Sequence, residues 1–143
     1  METGRLFDID GDGPIDLLPN GTKFAAWWDI EPGEAPKWIR HELPEQLASH
    51  GAGFGDINGD GRGDVVGPHG WAEAPQDRRN DRWEFHSEFD LWQDASIPIL
   101  VQDVDNDGDN ESHCTDGLTP TARRAVPTAS RMGRNSLSIY DCL

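Results

Sequence analysis

The chain lacks any long hydrophobic run, and it is poor in cysteine. No stretch approaches the roughly 18 apolar residues that indicate a membrane-spanning helix, so membrane insertion is not expected. The two cysteines, Cys114 and Cys142, fit no spacing rule for a disulfide framework. None of the five histidines falls in a zinc pattern such as H-E-x-x-H. Without such cysteine or histidine patterns, the candidate ligands are oxygen-donating side chains.

Positive charge is also scarce. The 143 residues carry 12 Lys and Arg against 27 Asp and Glu, a formal net charge of −15. A surface of this sign repels nucleic-acid phosphates, so we do not expect nucleic-acid binding. The acidity is not spread evenly, because 12 of the 27 acidic side chains lie in three short segments.

Those three segments are copies of one aspartate-rich loop of nine residues. Their first residues, Asp8, Asp56 and Asp103, are separated by 48 and 47 residues. A period of this size is typical of a repeat architecture in which each unit is one supersecondary element. The copies read DIDGDGPID at 8–16 (loop 1), DINGDGRGD at 56–64 (loop 2) and DVDNDGDNE at 103–111 (loop 3).

The residue choice within each loop matches a calcium site. Calcium takes six to eight oxygen ligands. Side chains at positions 1, 3, 5 and 9 offer carboxylate or amide oxygens, and glycine at position 6 allows a sharp turn that points the carbonyl of position 7 inward. The predicted ligands are Asp8, Asp10, Asp12, Pro14 and Asp16 in loop 1, Asp56, Asn58, Asp60, Arg62 and Asp64 in loop 2, and Asp103, Asp105, Asp107, Asp109 and Glu111 in loop 3.

An EF-hand begins with the same string but requires a bidentate Glu at position 12, inside a helix. Position 12 here is Pro19, Gly67 or Cys114, and none carries a carboxylate. Short aliphatic runs bounded by Gly and Pro flank the loops, which is typical of strands. The sequence therefore predicts that each loop joins strand to strand.

The remainder of each unit also indicates β structure. Asn20-Gly21 separates two apolar runs and predicts a hairpin turn. A Trp-x-x-His pattern occurs at 38–41 and again at 83–86, and we interpret it as a packing device, with the indole between sheets and the imidazole bonded to a neighbouring strand. We expect four short strands per unit, with helix confined at most to 44–50.

The loops, with Phe54-Gly55 before Asp56 and Gly67-Pro68 after Val66, give the chain a resemblance to the FG-GAP and VCBS-type repeats. That resemblance implies an all-β fold of calcium-binding propeller blades, as in integrin alpha-subunit heads and many bacterial secreted proteins. Loops 1 and 3 lack the Phe-Gly lead, so the bacterial VCBS-like branch is the closer comparison. The resemblance also implies that the acidic side chains of the three loops are the metal ligands.

The length limits how much of a propeller this chain supplies. Propellers close with about four to eight blades, and 143 residues hold about three four-stranded antiparallel blades. We therefore expect an incomplete propeller at 1–111, completed by the remaining blades of a longer chain or by several short chains. Residues 112–143 have no strand or helix period and are expected to be an irregular or disordered tail, with a shifted reading frame as the alternative.

Two functions follow as expectations. The first is a calcium-binding module of a secreted or surface protein that binds carbohydrate or protein; millimolar calcium favours an extracellular or periplasmic location, although this chain shows no signal sequence. The second is a piece of a propeller-type carbohydrate-active enzyme, a polysaccharide lyase or hydrolase. Exposed and aligned Trp27, Trp28 and Trp71 would favour sugar contact, and buried ones would be core.

Overall fold

The computed structural model describes residues 4–87, 99–103, 106 and 110–113, and strands dominate them. Two four-stranded antiparallel sheets and one strand pair follow each other along the chain, with a single 3₁₀ turn at Glu45–Leu47 between the sheets. The expected all-β class and the expectation of four strands per unit are confirmed for the first two units, whereas no closed propeller is formed by the described residues. Sheet 1 contains β1 (Gly4–Phe7), β2 (Asp16–Pro19), β3 (Ala26–Glu31) and β4 (Lys37–Glu42); sheet 2 contains β5 (Gly53–Gly55), β6 (Asp64–Gly67), β7 (Gly70–Glu73) and β8 (Glu84–His86); β9 (Leu100–Gln102) pairs with β10 (Glu111–His113).

Each of the three loops connects two antiparallel strands. Loop 1 lies between β1 and β2, loop 2 between β5 and β6, and loop 3 between β9 and β10. The predicted strand-loop-strand arrangement is therefore confirmed, and the helix that an EF-hand requires after the loop is replaced by a strand in every unit.

Sheet 2 is a central layer with both faces covered. Its first face carries Phe54, Val65, Ala72 and Phe85, which are cross-strand partners and therefore share that face. These side chains pack with sheet 1 residues into the main core, which includes the fully buried Trp27. Because adjacent strand residues point to opposite faces, burial of consecutive residues in β6 requires a second covering layer.

The strand pair β9–β10 supplies that second layer. Val66 and Trp71 lie on the other face of sheet 2 and pack against Ile99, with Val101 at the margin. Close approach is possible because β5 has glycine on this side: a Cβ on Gly53 would lie 2.6 Å from the carbonyl oxygen of Ile99. Successive units thus stack face to face along the chain.

Sheet 1 leaves its outer face largely uncovered by the described residues. Leu6, Leu17, Trp28 and Arg40 form a row across all four strands of this face. Leu6 is 61% exposed, and Trp38, on the same face, is 57% exposed. The equivalent face of sheet 2 is the one that sheet 1 covers.

One local prediction from the sequence is confirmed in part and another is wrong. β2 and β3 pair antiparallel as the predicted hairpin, but Asn20-Gly21 is not a tight turn, because neither residue has positive φ and residues 20–25 form a longer connection; the buried Asn20 donates through Nδ2 to the carbonyl of His50. The Trp-x-x-His pattern is not one packing device, because Trp83 is buried whereas Trp38 is exposed.

Several sequence predictions fall outside the described residues. These are the ligand positions Asp105, Asp107 and Asp109, both cysteines, and the tail from 114 onward. Strand β10 continues to His113, two residues beyond the expected end of the repeats. Among the described residues, no helix has the length and apolar character needed to cross a membrane.

Candidate metal centre

The described residues of the three loops share one turn between positions 1 and 4. In each, the aspartate at position 1 accepts a hydrogen bond through Oδ1 from the backbone N–H of position 4, with N···O distances of 2.8 Å (Gly11 to Asp8), 2.7 Å (Gly59 to Asp56) and 2.6 Å (Asn106 to Asp103). Position 4 adopts positive φ in all three, at 81°, 74° and 62°. Glycine and asparagine are the residues that tolerate this conformation, which explains the residue choice.

The predicted turn at position 6 is confirmed in loops 1 and 2. Gly13 has φ of 99° and Gly61 has φ of 85°. Each donates its N–H to the second oxygen of the position 1 aspartate, at 3.1 Å to Asp8 Oδ2 and 2.8 Å to Asp56 Oδ2. The first carboxylate therefore organises the loop through backbone donors in both copies.

Loop 1 brings three carboxylates together. Oxygens of Asp8, Asp10 and Asp16 all lie within 4.8 Å of one another, and this is the one such group of three found among the residues that the structure describes. Asp8 is exposed, Asp10 is half-buried and Asp16 is buried. The group thus opens to solvent at one end and has its floor inside the protein.

Asp16 is the floor of this group, and it has an unsatisfied oxygen. Its side chain is fully buried, and Oδ2 accepts the N–H of Ile9 at 2.8 Å. Oδ1 has no hydrogen-bond partner in the described structure. Burial raises the pKa of Asp16 to about 6; the backbone N–H groups of Ile9 and Asp10 oppose the shift, and the negative charges of Asp10 and Asp29 add to it. Oδ1 meets no hydrogen-bond donor among the described residues, and a cation at this oxygen would offset the cost of burying the charge.

The counterpart in loop 2 is satisfied by backbone donors. Asp64 is also fully buried, but its Oδ2 accepts the N–H of Ile57 at 3.1 Å and its Oδ1 accepts the N–H of Ala74 at 2.9 Å. Burial raises the pKa of Asp64 to about 6 despite these two bonds, with Asp60 and Asp56 adding to the shift. Both oxygens of Asp64 thus have partners without a metal ion.

An arginine lies against each of loops 1 and 2. In loop 1, Arg79 places Nε 2.6 Å from Asp10 Oδ2 and a terminal nitrogen 2.7 Å from Asp12 Oδ2 and 2.9 Å from Asp29 Oδ2. In loop 2, Arg62 places a terminal nitrogen 2.5 Å from Asp60 Oδ2 and 3.6 Å from Glu73 Oε1. Both guanidinium groups therefore bridge position 5 of a loop to an acid on the third strand of the same sheet.

The predicted ligands are thus only partly brought together. Asp8, Asp10 and Asp16 converge, whereas Asp12 is turned to Arg79. In loop 2, Asn58 donates to Asp60 through Nδ2 at 3.2 Å, and the side chain of Arg62 folds back onto the sheet, where Nε donates to the carbonyl of Ala74 at 2.8 Å. Asp103 and the backbone of Glu111 are described in loop 3, and its remaining predicted ligands are not.

Sequence reasoning missed the residues outside the nine-residue loops. Arg79 and Asp29 contact loop 1 from 67 and 17 residues away from Asp12. An Arg78-Arg79 pair is notable in so acidic a chain and is the one signal that points to them. The repeated aromatic contact was also missed: His41 stacks on Trp27 at 4.1 Å between ring centroids, and His86 stacks on Trp71 at 4.3 Å.

Comparison with known proteins adds no relative: no family model, curated protein or solved structure significantly matches this chain.

Proposed function

We propose that this chain is a calcium-binding β-repeat module whose metal site in the described structure is loop 1. The observation that carries the proposal is Asp16 Oδ1, a fully buried carboxylate oxygen without a partner, in a group with Asp8 and Asp10. A buried anionic oxygen is costly unless it is paired or coordinates a metal. A divalent ion would satisfy Asp16 and neutralise the mutual repulsion of the three carboxylates.

The donor set favours calcium over other metals. The three grouped side chains offer only oxygen, which selects hard cations rather than zinc or copper. Asp12 and the carbonyl of Pro14 would bring the set toward the six to eight oxygens that calcium takes. Magnesium demands near-ideal octahedral geometry and keeps several waters, so proteins bind it through one or two carboxylates rather than through a set of this many oxygens.

The module's wider role is proposed from the resemblance to FG-GAP and VCBS-type repeats. In this role the chain acts as a binding or scaffold domain of a secreted or surface protein, in surroundings where calcium is millimolar. Support for a neighbouring repeat as a partner comes from the outer face of sheet 1, where Leu6 and Trp38 are exposed. The matching face of sheet 2 is covered by a sheet of the same kind, so a further unit would cover this one. Sedimentation of a compact, stable monomer would contradict that partner.

The alternative, a carbohydrate-active enzyme, loses two of the three tryptophans that would have supported it; the third, Trp28, is half-buried on the outer face of sheet 1. Trp27 is 0% exposed and Trp71 is 5% exposed, and each is stacked against a histidine inside the core. These two indoles therefore serve packing and offer no platform for a sugar ring. We keep the binding module as the proposal and do not advance the enzyme.

A thermal-shift series tests the metal proposal. A ligand that binds only the native state stabilises it by RT ln(1 + [L]/Kd), about 2.7 kcal/mol at a hundredfold excess over Kd. Calcium should raise the melting midpoint relative to chelator, and magnesium at the same concentration should raise it less. Asp16→Asn should abolish most of the calcium effect. Equal midpoints in calcium and chelator for the unmodified chain would refute the proposal.

A further inference from the structure

A guanidinium group holds the same place in both described loops, although the two arginines come from different parts of the chain. Arg79 bridges Asp12 to Asp29, and Arg62 bridges Asp60 to Glu73. Asp29 and Glu73 each lie two residues after the buried tryptophan of the third strand. The position is therefore equivalent in the two sheets, and its occupant is a cation in both.

The two arginines differ in where they are anchored and in what they reach. Arg62 belongs to loop 2 itself, where position 3 is the neutral Asn58. Arg79 belongs to the β7–β8 connection of sheet 2, and its Nε lies against Asp10, a member of the carboxylate group. The neighbouring Arg78 donates to the carbonyl of Ile9 in loop 1 at 3.0 Å. Arg79 thus ties the metal loop of one sheet to the next sheet.

Arg79 and a metal ion would compete for the same carboxylates. Its guanidinium group contacts Asp10 Oδ2 at 2.6 Å and Asp12 Oδ2 at 2.7 Å, and both carboxylates belong to the predicted ligand set. A divalent cation held by Asp8, Asp10 and Asp16 would be close to this positive charge, and like charges at such range repel strongly when partly buried. Asp29 lies outside the loop and stays available to the guanidinium group after its release.

We propose, on the basis of the calcium site proposed above, that Arg79 is a tethered cation that closes loop 1 in the absence of metal. Calcium binding displaces its guanidinium group from Asp10 and Asp12 and leaves it on Asp29. The affinity of loop 1 for calcium is therefore lowered by Arg79, and metal occupancy changes the contact between sheets 1 and 2. No covalent bond is made or broken: the ion pairs and the hydrogen bond from Arg79 to Asp10 and Asp12 are exchanged for calcium–oxygen coordination.

Calorimetric titration of calcium into the full chain and two charge-removing variants tests this exchange. Arg79→Gln should bind calcium about tenfold more tightly at the loop 1 site, because a competing charge is gone, and its melting midpoint in chelator should fall because Asp10, Asp12 and Asp29 lose their partner. Arg40→Gln is the control, since Arg40 pairs with Glu42 on β4 at 3.0 Å and is not among the predicted ligands; it should leave the calcium affinity unchanged.

A second measurement uses the unmodified chain, so the test survives a variant that fails to fold. Hydrogen exchange of peptides covering 75–83 should become faster when calcium is added, because Arg79 no longer holds this connection to loop 1. The Asp81 N–H, which donates to the carbonyl of Asp77 at 2.9 Å, is a reporter within it. Slower exchange there on adding calcium would overturn the release.

The outcomes separate this inference from the proposed function. Equal affinities for the unmodified chain and Arg79→Gln would refute the competition while leaving the calcium site in place. Weaker binding by Arg79→Gln would make Arg79 a residue that positions the ligands, which also refutes the competition. Absence of calcium binding in every variant would overturn both proposals. Binding detected only in Arg79→Gln would support the competition but would refute the proposal that the unmodified chain binds calcium.

Discussion

Loops 1 and 2 have the same backbone conformation at positions 4 and 6, but their buried carboxylates have different partners. Position 1 accepts the same backbone donors, and positions 4 and 6 have positive φ in both. The difference lies at position 9, where Asp64 has backbone partners on both oxygens and Asp16 has a partner on only one. The extra donor in loop 2 is the Ala74 N–H, which lies just after β7.

This difference shows that the nine-residue motif specifies the backbone conformation of the loop. Residues outside the motif determine whether its buried carboxylate has partners without a metal ion. The nine-residue sequence encodes the turn through glycines and through aspartates that accept backbone N–H groups. Whether the buried carboxylate is already satisfied depends on a residue ten positions further along the chain. We infer that loop 1 binds calcium more tightly than loop 2.

The largest expected effect is a loss of stability when a buried tryptophan is removed, and this loss should be similar in the two sheets. Trp27→Ala and Trp71→Ala each remove a buried indole stacked on a histidine. Each should lower the free energy of unfolding by about 3–5 kcal/mol, the usual range for such truncations. The exposed Trp38 is the control, and Trp38→Ala should cost less than about 1 kcal/mol. Denaturant unfolding in excess calcium measures all three; a small effect at only one of the buried positions would break the equivalence.

At position 9 the loops should respond differently. Asp64→Asn leaves an amide group facing one of two backbone N–H donors and should lower stability by about 1–3 kcal/mol, the cost of an unsatisfied buried donor. Asp16→Asn keeps an oxygen for the Ile9 N–H and places the amide where Oδ1 lacked a partner.

In chelator, therefore, Asp16→Asn should be as stable as the unmodified chain or more stable. Urea unfolding of both variants in chelator checks the pair. A larger loss for Asp16→Asn than for Asp64→Asn would contradict our account of the two carboxylates.

The shared turn can be tested at position 4. Gly59 has φ of 74°, and a non-glycine residue in this conformation costs about 1–2 kcal/mol. Loop 3 carries Asn106 at the same position with φ of 62°. Gly59→Ala should therefore be destabilising by about that amount, and Gly59→Asn by clearly less. Equal melting midpoints for the two variants would show that conformation at position 4 does not limit stability.

The smallest expected effect per residue is the pH dependence of the metal-free chain. Burial raises the pKa of Asp16 and of Asp64 to about 6, above the ordinary value of 3.8. The folded state therefore binds more protons than the unfolded state between about pH 4 and 6, and the contribution of these groups to stability falls as pH rises through that window.

We expect a lower melting midpoint at pH 7 than at pH 5 in chelator, by an amount equivalent to about 1 kcal/mol for each of the two carboxylates. Asp16→Asn and Asp64→Asn should each reduce the difference. The difference should shrink in calcium, because the ion needs the ionised carboxylate. A midpoint in chelator that rises from pH 5 to pH 7 would contradict the assignment.

The backbone conformation of the loops was predictable from the sequence because it is local. Alternating aspartates with glycine at position 6 indicated the turn, and short aliphatic runs indicated strands on either side. The prediction of a tight turn at Asn20-Gly21 was wrong because the Asn20 side chain donates to the distant His50 carbonyl, so packing overrides a local turn preference. The prediction that Trp38 packs between sheets was wrong because its face of sheet 1 is not covered in the described structure. No local sequence pattern contains that information.

The site was predictable only in part for the same reason. Position 9 was identified as a ligand in both loops, but the Ala74 N–H and the Arg79 guanidinium group arrive through sheet pairing and sheet stacking. Contacts between residues 67 positions apart in the chain leave no periodic trace in a single sequence.

Counting the bound ions tests the central claim most directly. Native mass spectrometry, with calorimetry for affinity, should show that Asp16→Asn loses the tightest calcium ion of the unmodified chain, whereas Asp64→Asn retains it. Retention of that ion by Asp16→Asn, or its loss in a folded Asp64→Asn variant, would contradict the account.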